Sequence, residues 1–235
     1  MILDYHLAMW DEMPVESLFA IMRHTECNML HCAAKQLADN SVIVEVGSAL
    51  GGGACIMAAA NPNITVNCVE QFQTNNIEIW NQLKKDIHRL YQIYHLARDQ
   101  VPARTSLDIV SLIDNCFLTD PTGKLAFELI TKNFSNIKLH HGESPINFLN
   151  WTQPIDIYLE DATHHNPALH ENIKFWSNHV KPGGFIIGHD YQNLDTISMP
   201  DVVSEFNKLI FNGWDLISKV DSLIILQKPR GTIKE

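Results

Sequence analysis

The sequence predicts an α/β fold: a doubly wound, Rossmann-like sheet of seven strands whose last strand runs antiparallel, with a helical insertion after strand two. Three observations carry this expectation. A short β-branched run, Ser41 to Val46, is followed by Gly47, Gly51, Gly52 and Gly53 and then by a helical stretch, Ala54 to Ala60. Further apolar runs alternate with helical patterns, as buried strands and their crossover helices do. The last two runs, Trp214 to Val220 and Ser222 to Gln227, lie too close for a crossover helix and should pair antiparallel.

Taken in order, residues 1–13 carry no committed pattern. Pro14 opens a helical periodicity (Leu18, Ile21, Met22, Met29, Leu30, Ala33) that should run as one helix to Asp39-Asn40, beside the first strand. Asn61-Pro-Asn63 is a turn, and Ile64 to Val69 is a second strand closing on Glu70-Gln71. The gap from 72 to 135 far exceeds the dozen or so residues of a plain crossover. It holds three amphipathic helical patterns, around Ile77–Tyr94, Leu107–Phe117 and Leu125–Ile130, parted by Pro102 and by Asp120-Pro-Thr-Gly123. A lid, a substrate-recognition element and a homodimer contact are all compatible with such an insertion. Strands resume at Ile137 and at Gln153 to Glu160, followed by a loop from Asp161 to His165. A helix marked by Leu169, Ile173 and Trp176 should stop at Lys181-Pro-Gly-Gly184. Phe185 to Gly188 is the fifth strand, and a helix spans Asp201 to Phe211.

Composition narrows the function classes. A chain of 235 residues can bury one sizeable core, so a single domain over 1–235 is expected, with 1–40 as a helical segment and 72–135 as the insertion. The formal charge of −10 and the lack of Lys/Arg runs argue against a nucleic-acid partner. No apolar stretch approaches the ~20 residues of a membrane span. Asp4, Asp11 and Glu12 near the start fit neither a signal nor a transit peptide, so a cytoplasmic location is expected. Five cysteines, an odd number without a Cys-x-x-Cys pair, read as reduced thiols.

In open α/β sheets the ligand crevice lies at the carboxyl ends of the strands. Those ends are Gly47-Ser48, Glu70-Gln71, His140 to Ser144, Asp161 to His165 and His189 to Tyr191. Five of the twelve histidines (His140, His141, His164, His165, His189) fall on this rim, with Glu143, Asp161 and Asp190. A dinucleotide fingerprint begun at Gly47 would need glycine where the chain has Ala49. Glu45 before the turn would oppose a pyrophosphate and suit a cation. Glu70, near the ~20-residue spacing expected of a ribose-binding acid, ends strand two.

Glu45-Val-Gly-Ser-Ala-Leu-Gly-Gly52 resembles the first motif of class I S-adenosylmethionine-dependent methyltransferases. Asp156-Ile-Tyr-Leu-Glu-Asp-Ala-Thr-His164 with Lys181-Pro-Gly-Gly-Phe-Ile-Ile-Gly-His-Asp-Tyr191 resembles a small-molecule O-methyltransferase branch, of Gly-His-Asp-Tyr type. The chain departs from that branch at Ala162, Thr163 and Glu143. The resemblance implies that Glu45, Gly47 and Ser48 hold the methionine part of S-adenosylmethionine, with Gly51 and Gly52 also in the cofactor site. It further implies that Glu70 takes the ribose, that Gln71 also belongs to the cofactor site, that Glu143 and Ser144 flank the adenine, and that Asp161 closes the pocket. It places a divalent metal at Asp161 and Asp190. A histidine general base would activate a hydroxyl acceptor. His189 is the first candidate and His164 the second.

The expected activity is O-methylation of a small-molecule hydroxyl, on a sugar or a natural product. The competing expectations are an NAD(P)-dependent oxidoreductase on a similar sheet and a protein that binds the cofactor without catalysis.

Overall fold

The computed structural model describes residues 13–73, 76–97, 100, 104–191 and 199–231. The chain forms two compact units. One comprises 37–48, 63–71 and 138–235, and the other 1–36, 49–62 and 72–137.

The first unit is a sheet with its helices. Its strands are β1 (Val42–Val46), β2 (Thr65–Glu70), β3 (Ile137–His141), β4 (Ile155–Glu160), β5 (Val180–Gly188), β6 (Asp215–Val220) and β7 (Leu223–Gln227). Among the described residues they form one seven-stranded sheet in the order β3-β2-β1-β4-β5-β7-β6. β1 pairs in parallel with β2 and β4, and β4 with β5. β7 runs antiparallel to both β5 and β6, as the short link between the last two strands requires. The change of direction beside β1, from β2 to β4, is the switch point at which such sheets open a ligand crevice.

Central strands covered on both faces need continuous apolar runs, and all five residues of β1 are buried. Helices α6 (Ala168–His179) and α7 (Pro200–Phe211) cover one face. There Val44, Val46, Tyr158 and Ile186 pack with Trp176 and Phe206 in one core cluster. A Cβ at Gly188 would stand 2.2 Å from the Phe206 ring, so only glycine lets that ring seat. The buried start of β1 is tied down by charge: Asp156 accepts the Val42 N–H at 2.8 Å and pairs with Lys181 at 2.8 Å.

The second unit is helical. It contains a 3-10 turn (Val15–Phe19), α1 (His24–Lys35), α2 (Gly52–Ala60), α3 (Asn76–Ala97), α4 (Ser106–Thr119) and α5 (Lys124–Thr131). Trp80 of α3 is wholly buried and stacks on Phe117 of α4, ring centres 6.4 Å apart. Its indole N–H donates to Asp114 at 2.6 Å, satisfying the one polar atom on that ring. The three helices of the expected insertion are present.

Three boundaries differ from the sequence reading. The expected single helix from Pro14 is a 3-10 turn and a separate α1, because Glu26 accepts the Arg23 N–H at 2.8 Å and starts a new helix there. Gly52 and Gly53 lie inside α2 instead of in the turn before it; a Cβ at Gly52 would meet the Ala20 nitrogen at 2.1 Å, so backbone contact selects the glycine. Lys181-Pro-Gly-Gly184 does not end α6 but belongs to β5, held by bonds from the Gly183 N–H to the Lys228 carbonyl (2.9 Å) and from the Lys228 N–H to the Gly184 carbonyl (2.8 Å). None of the five cysteines forms a disulfide among the described residues. No described helix is long and apolar enough to cross a membrane.

Candidate active site

Four strands of the sheet unit end in one repeated arrangement. The residue just past each strand donates its N–H to a carbonyl of the neighbouring strand. Gly142 donates to Glu70 (3.0 Å), Gly47 to Val69 (3.0 Å), Asp161 to Val46 (2.9 Å) and His189 to Glu160 (3.1 Å). This ladder fixes the backbone from which the rim side chains project. Gly47 has φ +90°, and a Cβ there would stand 2.4 Å from the Asp161 carbonyl oxygen. The glycine bend thus lies directly against the loop that follows β4, where no side chain fits.

From that loop and the end of β5, four titratable groups converge. His189 Nδ1 lies 3.0 Å from Asp161 Oδ1 and 3.3 Å from Asp190 Oδ2. His164 Nε2 lies 2.9 Å from the same Asp190 oxygen. Asp190 sits in the left-handed region (φ 58°), an uncommon place for a non-glycine residue and one often found at functional sites. Burial pushes the Asp190 carboxyl up, but its contacts with His164 and His189 outweigh that and hold it well below the usual carboxylate range. The contact with Asp190 raises His164 above the ordinary histidine value, against the effect of burial. The His189 side chain is 9% exposed and that of His164 is 34% exposed. His189 is therefore clamped and sheltered, whereas His164 is half-buried, its Nε2 enclosed and the rest of its ring partly open. One ligand atom each from Asp161, His164 and Asp190 can be brought within 4.8 Å of one another, compatible with a metal.

Two buried acids stand behind this rim. Glu45 is 2% exposed, and burial pushes its carboxyl up to about 8; the charges of Asp161 and Glu70 add to this, while Ser48 and Cys68 oppose it. The charges of Asp161 and Glu70 beside this buried acid make a field that suits a cation. Glu160, on the opposite face of the sheet from Glu45, is 3% exposed and pushed by burial up to about 7. It is held by the Tyr158 hydroxyl, the Ala162 N–H (3.2 Å) and the Asn172 amide (3.5 Å). Asn172 in turn accepts from the Ser144 hydroxyl (2.8 Å), which accepts from the Trp176 indole (2.8 Å). A continuous polar chain therefore joins the β3 loop, α6 and the loop that carries Asp161.

Most of the expected site residues reach this rim of the sheet unit. Glu70 and Gln71 close β2, and the Gln71 carbonyl lies 3.3 Å from His141 Nε2. Glu143 is exposed, its N–H bound to Asn147 (2.7 Å). Gly51 and Gly52 stand at the start of α2 and belong to the helical unit. His140 bonds to Asn67 at 2.9 Å and serves packing. Sequence reasoning missed Glu160 and the link between His164 and Asp190. A lone acid ending the apolar run Ile155–Leu159 was the available signal for the first. The second depends on the backbone turn at Asp190, which no spacing reveals.

A family model described as a methyltransferase domain matches residues 44–191. The chain belongs to that family of S-adenosylmethionine-dependent methyltransferases. Solved structures share the fold at low sequence identity. TomG, an O-methyltransferase from Streptomyces achromogenes involved in tomaymycin synthesis and solved with S-adenosylmethionine, is 13% identical with a TM-score of 0.51, over 88% of this chain and 81% of its own. The O-methyltransferase NovP is 13% identical with a TM-score of 0.54, over 90% and 83%. Cofactor-bound Rv0187 from MTB is 12% identical with a TM-score of 0.54, over 92% and 86%. A comparison with curated protein sequences gives no match.

Proposed function

We propose that the chain transfers a methyl group from S-adenosylmethionine to a hydroxyl oxygen of a small molecule, such as a sugar or a natural product. The observation that carries this reading is the Asp161–His189–Asp190–His164 cluster at the strand ends, next to a field of acids. The acids Glu45, Glu70 and Asp161 fit a cationic donor without phosphate. Gly47, Ser48, Gln71, Glu143 and Ser144 complete the cofactor side in this reading, with Gly51 and Gly52 at the start of the following helix. When bound, the cofactor supplies a methyl carbon attached to a positively charged sulfur.

The chain's own task is to place and deprotonate the acceptor. An alcohol oxygen is a weak nucleophile until its proton leaves. As the oxygen–methyl bond forms and the carbon–sulfur bond breaks, that proton passes to an imidazole. The geometry favours His164 over His189, reversing the order expected from sequence. His189 is enclosed between two acids and acts as a positioning residue. The His164 ring is partly open, and Asp190 stabilises the imidazolium that forms. Glu160 positions the loop by holding the Ala162 N–H.

A second reading has its own observation. Asp161, His164 and Asp190 can present three ligand atoms to a divalent metal. An imidazole in the set favours manganese, iron or zinc over magnesium. The metal would then polarise the acceptor oxygen, and His164 would be a ligand, not a base.

Calorimetry with S-adenosylhomocysteine and a radiolabelled methyl-transfer panel of hydroxylated compounds tests both. Glu70→Ala should weaken cofactor binding about tenfold or more. His164→Ala should lower turnover by about 10²–10⁴-fold without changing cofactor affinity. Undiminished turnover in His164→Ala refutes both roles for that residue. Activity that survives exhaustive chelation refutes the metal reading alone.

A further inference from the structure

The helical unit has a cavity of its own, about 620 Å³, bounded by the 3-10 turn, α3, α4 and α5. Protein interiors are close-packed, and voids much larger than a water molecule are few. A concavity of this size lies within the range of small-ligand sites. Its wall includes Phe19, Tyr94, Ile113 and Ile130, all buried side chains. Its mouth carries Arg104 and Lys132, both exposed. The Arg104 backbone is anchored there, because its carbonyl accepts the Tyr91 hydroxyl at 2.6 Å.

Among the described residues Glu16 is the acid that lines the cavity, and Asp108 stands outside the lining. Glu16 accepts from the Asn133 amide at 3.4 Å. Asp108 spends one oxygen on the Thr105 N–H and hydroxyl, both at 2.9 Å, to cap α4. Hydrogen bonds leave an acid's charge in place, so the lining carries Arg104 and Lys132 against Glu16, a net positive charge on a chain of net charge −10, where an anion would otherwise be repelled. Beside it, His95 lies 4.5 Å from the Tyr91 ring centre and 5.1 Å from that of Tyr94. Among the described residues neither of its ring nitrogens has a hydrogen-bond partner, and both are shielded from solvent. An unmade buried hydrogen bond is a standing penalty, which a polar ligand atom would relieve once the ring turns toward the cavity.

We infer that this cavity binds an amphipathic organic anion, its ring or alkyl body against the apolar wall and its charged group at Arg104 and Lys132. The inference goes beyond the methyltransferase reading and does not rest on it.

The test uses the full chain and a fluorescent aromatic anion, anilinonaphthalene sulfonate, with neutral N-phenylnaphthylamine as its uncharged counterpart. The expected result is saturable one-to-one binding of the anion. Affinity should fall about tenfold in the Arg104→Glu, Lys132→Glu double variant and measurably in His95→Phe. The neutral compound should bind more weakly and ignore the charge reversal, and S-adenosylhomocysteine affinity should be unchanged. No saturable binding, or equal affinity in the charge-reversed variant, overturns the assignment. So does a parallel loss of both ligands, which would mark a loss of folding and not of a site. Failure on the dye alone leaves the methyltransferase reading standing.

Discussion

At Glu45 the chain buries a carboxylate and thereby keeps it protonated up to about pH 8. In water the same group would lose its proton near pH 4. If this acid meets the positive charge of S-adenosylmethionine, it must ionise as the cofactor arrives. Binding near pH 7 should therefore release about one proton, read as a dependence of the calorimetric heat on the buffer's ionisation enthalpy. In Glu45→Gln the linked proton should vanish. A buffer-independent heat in the unsubstituted protein would place the cofactor's charge elsewhere. Glu160 shows what a single residue can do without touching a ligand. Its i, i+2 partner Tyr158 shares its face of β4, and its carboxyl group fastens the turn into the loop that carries Asp161.

Elements matter through how they end. The ladder past β1, β3, β4 and β5 converts strand pairing into a fixed rim. Gly47 is its tightest point: a positive φ and a Cβ position inside the Asp161–Ala162 backbone. Gly47→Ala combines strain with overpacking and should cost about 3 kcal/mol of stability, measured by urea unfolding of the sheet unit. It should also displace the Asp161 loop and weaken S-adenosylhomocysteine binding. A stable variant with unaltered affinity would show that the bend is not the constraint described. By contrast, the expected continuous helix from Pro14 fails for a local reason. Glu26 reaches back to the Arg23 N–H and offers a better start than continuation would.

For the whole molecule, buried acids set the pH response. Glu45 and Glu160 keep protons in the folded state that the unfolded chain gives up between about pH 4 and 5. Folded protein thus binds more protons than unfolded across the window up to about 7 for Glu160 and about 8 for Glu45, so stability falls as pH rises through it. The His164–Asp190 pair acts in the same direction at its upper end. Its stabilisation is complete below the ordinary histidine pKa of about 6.5 and is lost as pH rises through the elevated folded value. Asp190, held low, contributes above about pH 4 and fades only in acid. Burial also lowers His24, His140 and His179, which adds stability as pH rises toward about 6.5, so the decline in urea midpoint should show from about pH 6.5 to pH 8, less steeply in Glu160→Gln. A midpoint that rises over this range would contradict the burial of both acids.

Local chemistry wrote much of this into the chain. Alternating apolar runs specified strands and helices, and the short link at Asp221-Ser222 required antiparallel pairing. Glycines announced the bend after β1. The rim acids and histidines were legible because strand ends are recognisable in sequence and crevices form there. Other features were not legible. Gly183 and Gly184 look like a helix stop until β7 arrives to bond them. The different enclosure of His189 and His164 depends on which acids surround each ring. Glu160 keeps its proton through burial, against the hydrogen bonds from Tyr158 and Asn172, and that burial is assembled from segments far apart in sequence. The sequence by itself determined the order of elements and which residue types stand at their ends. Only tertiary structure decided which of those groups lose water and which share a proton, because both depend on distances between residues that sequence spacing does not contain.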